Sequence, residues 1–146
     1  MTGWPRAGAA SVAERSFLAF DFGTRRLGVA SGNTVLRRAQ PLRTITAQGE
    51  LRFAAIAQLL AEWRPDALVC GVPFHPDGAA HDNTRRARRF ARQLQGRFGL
   101  PVHEVDERYT TTEALAAGAP DADAAAAAII LDQYLQALPE DHDVAA

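Results

Sequence analysis

The segment from Ala67 to Val72 constrains the fold more than any other part of the chain. It is a near-continuous apolar run of strand length, and such runs are typical of parallel strands that helices cover on both faces. A helical pattern stands on each side of the run, with apolar residues at the spacing of an amphipathic helix. The chain therefore predicts strands that alternate with helices, and a largely parallel sheet. The two helical stripes are formed by Ile56, Leu59, Leu60 and Trp63 before the run and by Ala87, Phe90, Ala91, Leu94 and Phe98 after it.

The other predicted elements make this sheet a mixed one. Two short apolar runs at the start of the chain are joined by the turn at residues 23–26 and predict an antiparallel hairpin. The expected fold class is thus α/β, with a mixed five-stranded sheet and helices on both faces. The further predicted elements are strands over residues 17–22, 27–31, 42–46 and 101–106, and helices over residues 110–117 and 123–138.

Length and composition bound the organisation of the chain. Its 146 residues favour one domain, which we expect over residues 16–138, between a flexible tail at 1–15 and an acidic tail at 139–146. Cys70 is the only cysteine, so an internal disulfide is excluded and a cytoplasmic location is expected. No apolar run approaches the roughly 20 residues that span a bilayer, so we expect no membrane partner. The formal net charge of −1 neither demands nor excludes nucleic acid.

Acidic residues are predicted to gather at one edge of the sheet. Asp21 ends the first strand, Asp106 and Glu107 close the last strand, and Asp121 and Asp123 stand at the start of the last helix. Sites in α/β sheets form at the carboxyl ends of strands. Converging carboxylates repel each other unless cations are bound, and oxygen ligands suit Mg²⁺ or Mn²⁺. Two such ions about 4 Å apart can activate a water and stabilise the leaving oxygen of a phosphodiester, so a two-metal hydrolysis is expected. The residues alone leave open which acids take part, and also whether they are only helix caps and turn residues.

A row of arginines is the second chemical feature. Arg85, Arg88, Arg89 and Arg92 recur at helical spacing on a side of the helix other than its apolar stripe. The only acid close to this row in sequence is Asp82. Guanidinium groups without matching acids indicate a phosphate-binding surface, although a solvated helix face gives the same pattern.

Four sequence motifs, taken in order, resemble those of the YqgF or RuvX-like family, the pre-16S rRNA nuclease family. They are AFDFGTRRLGVA at residues 19–30, VCGVP at 69–73 followed by an Asp-Gly pair, VDERYTT at 105–111, and Asp123 with the apolar helix behind it. Each motif is weak alone, but the four motifs stand in the family's order and extend over about 120 residues of the chain. The resemblance therefore extends over nearly everything except the two tails.

The resemblance implies a ribonuclease H-like fold and a metal-dependent nuclease. It places the catalytic and metal-binding carboxylates on Asp21, Glu107 and Asp123, with Mg²⁺ or Mn²⁺ as the cofactor. Family members usually have a longer segment between the last two acids, and here Arg108 is the only basic residue of that segment. The residues expected to bind nucleic acid are Thr24, Arg26, Arg85, Arg88, Arg89, Arg92 and Arg108.

The expected function is hydrolysis of phosphodiester bonds in structured RNA. The resemblance implies maturation of the 5′ end of pre-16S rRNA, with the precursor in the small ribosomal subunit as a candidate partner. The sequence leaves open whether the protein is a monomer or a homodimer. One alternative is a Holliday-junction resolvase that acts on branched DNA as a two-fold dimer. Another is a non-catalytic RNA- or ribosome-binding module, which the short segment after Glu107 motivates. The motif at Asp21 is also similar to the phosphate motif of sugar kinases, but those enzymes need two such domains, so ATP hydrolysis is not expected.

Overall fold

The computed structural model describes residues 14–75, 77–107 and 116–139. Its elements agree with the sequence pattern, apart from a third strand that begins four residues before its predicted start. Most of the predicted helix at 110–117 and nearly all of the two predicted tails lie outside the described residues. The elements are β1 (Ser16–Asp21), β2 (Leu27–Asn33), β3 (Arg38–Ile45), α1 (Gly49–Trp63), β4 (Ala67–Val72), α2 (Asp82–Phe98), β5 (Val102–Asp106) and α3 (Ala122–Ala137).

The strands form one five-stranded mixed sheet, as expected. Their order is β3-β2-β1-β4-β5. The first three strands are antiparallel neighbours, whereas β4 runs parallel to both β1 and β5. The carboxyl ends of β1, β4 and β5 therefore meet at one edge of the sheet, which we call the acidic edge because Asp21 ends β1 there.

Helices cover both faces of the sheet, and alternate residues of β1 therefore pack into two separate cores. Leu18 and Phe20 pack with residues of α1 and α2, such as Ile56 and Phe90. Phe17 and Ala19 point to the other face and pack against α3, and Ile130 belongs to the same cluster. Within the part of the chain that the structure describes, no helix is both long and apolar enough to cross a membrane.

Short side chains let α3 lie close to the sheet. Ala30 of β2 forms a small buried cluster with Ala127 and Ala128. The alanine-rich start of α3 thus has a packing role, because small side chains on both elements allow a helix to approach a strand closely. The β2–β3 hairpin binds the other end of the helix, where the Arg37 guanidinium donates to the carbonyls of Leu135 at 2.7 Å and Leu138 at 2.8 Å.

Local hydrogen bonds hold the start of β1 and the start of α2. Arg15, which we placed in the N-terminal tail, exchanges two hydrogen bonds with Thr34. His81 is the N-cap of α2, and its Nδ1 accepts the N–H of Asn83 at 3.2 Å. Thr84 completes the cap by accepting the backbone N–H of His81 at 3.0 Å.

Candidate functional site

Asp21 lies at the carboxyl end of β1, on the face of the sheet that α3 covers. Alternation along the strand places it on the same face as Phe17 and Ala19. The residue is partly buried. Its partner across the antiparallel pair is Gly28 of β2. Asp21 is therefore directed toward the start of α3, at the acidic edge.

Glu107 reaches the same place from the other side. It follows β5 directly, and its N–H donates to the carbonyl of Val72 at 3.0 Å. Its side chain lies over Gly71 of β4, since a methyl group at Gly71 would be only 2.5 Å from Glu107 Oε2. Gly71 follows Cys70, which is paired with Phe20, the residue before Asp21. The absent side chain of Gly71 leaves the space through which Glu107 extends toward β1.

Asp123 is the third acid and is supplied by the first turn of α3. A methyl group at Gly28 would overlap the carbonyl oxygen of Asp123, so only glycine permits the helix to start this close to β2. The Asp123 carboxylate is 31% exposed and forms an ion pair with Arg26 Nε at 2.9 Å. Arg26 belongs to the turn that follows Asp21, and its own side chain is 66% exposed.

The two acids left open by the sequence have different positions. Asp121 is the N-cap of α3, where its carboxylate accepts the N–H of Ala124 at 3.1 Å and the hydroxyl of Thr44. Asp106 alternates with Glu107 along the chain and is exposed, whereas Glu107 is partly buried. Capping thus occupies Asp121, and alternation turns Asp106 away from the face that carries Asp21.

The acids share an edge but do not form a closed metal cage. Among the described residues, no group of three His, Cys, Asp or Glu side chains is arranged to hold a metal ion. The ion pair with Arg26 gives a physical reason, because Asp123 directs its carboxylate to that guanidinium.

Three residues of this region carry roles that sequence reasoning missed. Gly28 and Gly71 provide the space described above, and a glycine inside a strand was the available signal. Arg52 of α1 is only 5% exposed and donates to the carbonyls of Gly23 and Thr24 in the turn after Asp21. Nothing in the sequence distinguishes Arg52 from the exposed arginines of the chain.

The arginine row on α2 has more acidic partners than the sequence indicated. Asp82 pairs with Arg85 at 2.5 Å, as its position suggests. The fold adds Glu104 of β5, which lies 3.3 Å from Arg88. Arg89 and Arg92 are exposed, and no ion pair joins them to a described residue. The expectation of a row without matching acids is therefore wrong for Arg88, and it holds within the described chain for Arg89 and Arg92.

The position of α2 separates this row from the carboxylates. The helix packs on the sheet face opposite to α3, so the row and Asp123 are on different faces. Arg108, the remaining residue expected to bind nucleic acid, lies outside the described residues. Thr24 and Arg26, in contrast, are exposed at the acidic edge itself.

A cavity of about 410 Å³ lies away from these residues, at the opposite edge of the sheet. It is lined by the end of α1, with Trp63 and Pro65, and by the β2–β3 hairpin, with Leu36 and Arg38. None of the acids that the sequence singled out lines it. This cavity is therefore separate from the acidic edge.

The fold has counterparts among solved structures. RuvC from T. thermophilus, solved in complex with a Holliday junction substrate, aligns with a TM-score of 0.53 at 17% identity, over 84% of this chain and 94% of that chain. A second structure of Thermus thermophilus RuvC gives a TM-score of 0.52 at 15% identity. At such identities the likeness shows the fold alone. The mixed sheet with helices on both faces is a ribonuclease H-like fold.

Curated relatives are much closer in sequence. A protein of Albidiferax ferrireducens named "Putative pre-16S rRNA nuclease" is 69% identical over 124 residues, which are 85% of this chain and 80% of the relative. A protein of Polaromonas sp. with the same name is 64% identical over 125 residues, which are 86% of this chain and 91% of the relative. The fold and these relatives define the class of protein as a nuclease, a hydrolase of phosphodiester bonds.

The family follows from the same region of the chain. Residues 15–137 match the model of the family described as "RuvX: Holliday junction resolvase". This range contains every described strand and helix, and all three acids of the acidic edge. The chain belongs to the RuvX family.

Proposed function

We propose that this protein is a metal-dependent nuclease that hydrolyses phosphodiester bonds in structured RNA, and that it matures the 5′ end of pre-16S rRNA in the cytoplasm during ribosome biogenesis. The observation that carries the proposal is the placement of Asp21, Glu107 and Asp123 on one face at one edge of the sheet, where Gly71 leaves room for Glu107 and Gly28 lets α3 approach β2. The curated relatives are named for the same RNA.

The donor chemistry of this edge fits Mg²⁺ or Mn²⁺. Carboxylate oxygens are the ligands that these ions prefer. Gly71 leaves room for the Glu107 side chain, and Gly28 lets the start of α3, which carries Asp123, lie against β2. Closing the site requires Asp123 to exchange its Arg26 partner for the ion, and the exposure of Arg26 makes this exchange inexpensive.

The residues of the chain would divide the work as follows. Asp21, Glu107 and Asp123 would hold the ion, which supplies an activated water and stabilises charge on the scissile phosphate when bound. Arg26, once released from Asp123, would bind a neighbouring phosphate, together with the hydroxyl of Thr24. Arg108 and the exposed arginines of α2, Arg85, Arg88, Arg89 and Arg92, would bind the RNA backbone farther from the cleaved bond.

Cleavage of a precursor fragment of 16S rRNA tests the proposal. Wild type and Asp21→Asn would be compared with Mg²⁺, with Mn²⁺ and with chelator, and circular dichroism would verify that the variant folds. We expect metal-dependent cleavage by the wild type and a loss of at least about 10³-fold in the variant, because one ligand of the ion is neutralised. Equal cleavage by the two proteins would refute the assignment of Asp21.

A Holliday-junction resolvase is the second candidate, and the description of the matching family favours it. Resolution of a symmetric junction requires two active sites, and hence a two-fold dimer rather than a monomer. A four-way DNA junction belongs in the same assay, with sedimentation to measure the oligomeric state. Cleavage of the junction by a dimer, without cleavage of the RNA, would replace the first proposal by this one.

A binding module without catalysis is the third outcome of the same assay. It predicts salt-sensitive RNA binding that Asp21→Asn leaves intact, with no cleavage of either substrate in any metal. Metal-dependent cleavage of either substrate would exclude it.

A further inference from the structure

The turn at residues 23–26, which follows Asp21 and leads into β2, is held in place from one side. Two side chains hold it, and neither belongs to the acidic edge. One is Arg52 in the first turn of α1, and the other is Gln48, the N-cap residue of the same helix. Both bind the turn through its backbone carbonyl groups.

Arg52 is buried and uses its whole guanidinium on carbonyl acceptors. Its two terminal nitrogens donate to the carbonyls of Gly23 at 2.9 Å and Thr24 at 3.4 Å, and Nε donates to that of Ala47 at 3.1 Å. Its guanidinium carbon also lies 5.8 Å from the ring centre of Phe22. Burying a cation is costly unless its donors are satisfied. An exposed arginine would serve a helix equally well without this cost, so the burial of Arg52 indicates a role in holding the turn. The planar fork binds several acceptors in a fixed geometry, which a lysine could not do.

Gln48 adds the next carbonyl of the turn. Its Nε2 donates to the carbonyl of Arg25 at 2.8 Å and to that of Thr46 at 3.1 Å. The carbonyls of Gly23, Thr24 and Arg25 are therefore all directed toward α1. Three successive carbonyls that are bound by side chains of one neighbouring element define the orientation of the whole turn.

This orientation determines where the amides of the turn point. The peptide bonds of the described residues are all trans, and in a trans peptide the C=O and N–H groups point in opposite directions. The N–H groups of Thr24, Arg25 and Arg26 therefore point away from α1. None of them donates a hydrogen bond to a described residue. The side chain of Arg26 reaches Asp123 at 2.9 Å, so the turn lies beside the acidic edge.

We infer that the turn at residues 23–26 is a backbone binding site for a phosphate group of the nucleic acid, next to the carboxylates, and that Arg52 and Gln48 are positioning residues that present its amides. The inference rests on the proposed function for the identity of the ligand. Neighbouring N–H groups that face outward bind anionic oxygens, and phosphate contacts of this kind set the register of a nucleic acid on its protein. Arg52 acts through the turn and does not touch the substrate.

Binding measured without metal tests the inference separately from cleavage. A fluorescein-labelled stem–loop fragment of the 16S precursor would be titrated in chelator, from about 50 to 200 mM salt, and its anisotropy recorded. We expect Arg52→Met to bind about tenfold more weakly, and Gln48→Ala about threefold more weakly, as hydrogen bonds from misplaced amides are lost. The slope of log affinity against log salt should not change in either variant, because an amide carries no charge.

Arg37 provides a matched control. It also donates its guanidinium to backbone carbonyls, but at the opposite edge of the sheet. Arg37→Met should lower the free energy of unfolding in urea and leave both the affinity and the salt slope unchanged. A comparable loss of affinity in Arg37→Met would mean that general destabilisation explains the effect, and would overturn the inference.

The remaining outcomes separate this inference from the proposed function. Folded Arg52→Met with the affinity of the wild type would overturn the inference, as would a reduced salt slope, which would make Arg52 a direct cationic contact. Should Arg52→Met not fold, Gln48→Ala decides, and an unchanged affinity there overturns the inference. If the wild type cleaves no RNA, but Arg52→Met and Gln48→Ala both bind RNA more weakly, the proposed nuclease activity is refuted and the phosphate site is supported.

Discussion

Gly71→Ala should separate catalysis from stability at the acidic edge. A methyl group at this position would lie 2.5 Å from Glu107 Oε2 and 2.5 Å from the Cδ1 atom of Ile130. An ordinary van der Waals contact is 3.4–4 Å, so each neighbour must retreat by about 1 Å. Both neighbours are the ends of flexible side chains. The protein can therefore accommodate the methyl group by moving Glu107, without moving its backbone.

The two consequences differ in size. Overpacking of this kind costs about 1–3 kcal/mol. The stiffer unfolded chain of an alanine variant offsets about 0.4–1 kcal/mol of that cost. The free energy of unfolding should thus fall by about 1 kcal/mol. A catalytic group that is displaced by 1 Å can lose about 10²-fold in rate, so we expect kcat to fall by about that factor.

Two other glycines serve as matched variants. Gly28→Ala places its methyl group against the backbone carbonyl of Asp123, which cannot move without α3, so it should cost about 3 kcal/mol or more as well as activity. Gly96 lies in α2 with no atom near its absent side chain. Gly96→Ala should raise the free energy of unfolding by up to about 1 kcal/mol and leave the rate unchanged.

The assay combines urea unfolding with RNA cleavage at saturating Mg²⁺. If folded Gly71→Ala cleaves within about twofold of the wild type, a range that a 1 Å displacement of a catalytic group excludes, then Glu107 has no part in the reaction. If Gly71→Ala instead unfolds as readily as Gly28→Ala, the space over Gly71 is not lined by adaptable side chains as described.

The remaining predictions concern a buried thiol, a helix cap and a basic surface. Burial raises the pKa of the Cys70 thiol, so its stabilising contribution is complete below about pH 8.5 and is lost as the pH rises, by up to about 1.4 kcal/mol per unit. Burial also raises the pKa of Tyr134, so the comparison with Cys70→Ala isolates the thiol. Between pH 8 and 10, the free energy of unfolding in urea should fall less steeply with pH in Cys70→Ala than in the wild type. Asp121→Ala should cost about 1 kcal/mol through loss of the N-cap and retain cleavage, whereas Asp123→Asn should lose cleavage in the same assay. The double variant Arg89→Gln/Arg92→Gln should reduce the salt slope of RNA binding by about 0.7–0.9 for each arginine that contacts phosphate, and an unchanged slope would show that this face of α2 is only solvated.

Secondary structure and fold class could be predicted because each element has a local signature. The apolar run at 67–72 is β4, and the stripe through Phe90 and Leu94 is the buried side of α2. Boundaries were harder where capping is unusual. The N-cap of α2 is His81, a residue type that is rarely used for capping, and β3 extends through Pro41, which an edge strand tolerates.

The pattern of residues identifies the candidate acids, but it does not show which acid of each neighbouring pair belongs to the site. Asp121 and Asp123 are both plausible at a helix start, and only the hydrogen bonds of the folded chain assign the cap to Asp121. Asp106 and Glu107 are neighbours on the chain, and only the position of Gly71 beneath Glu107 shows which of them extends toward β1. The family resemblance favours Asp123 over Asp121 and Glu107 over Asp106.

Short-range patterns of residues therefore predict the alternation of strands and helices, the hairpin at the start, and the short list of acids and arginines. Which of these residues meet depends on the folded chain. It brought Glu50 to Arg97 at 2.6 Å and Glu104 to Arg88, and it buried Arg52 against the turn after Asp21. The physical reason is that such contacts join residues distant in the chain, whose partners are set by strand order and helix packing rather than by local spacing. A buried arginine and an exposed one look the same until the chain has folded.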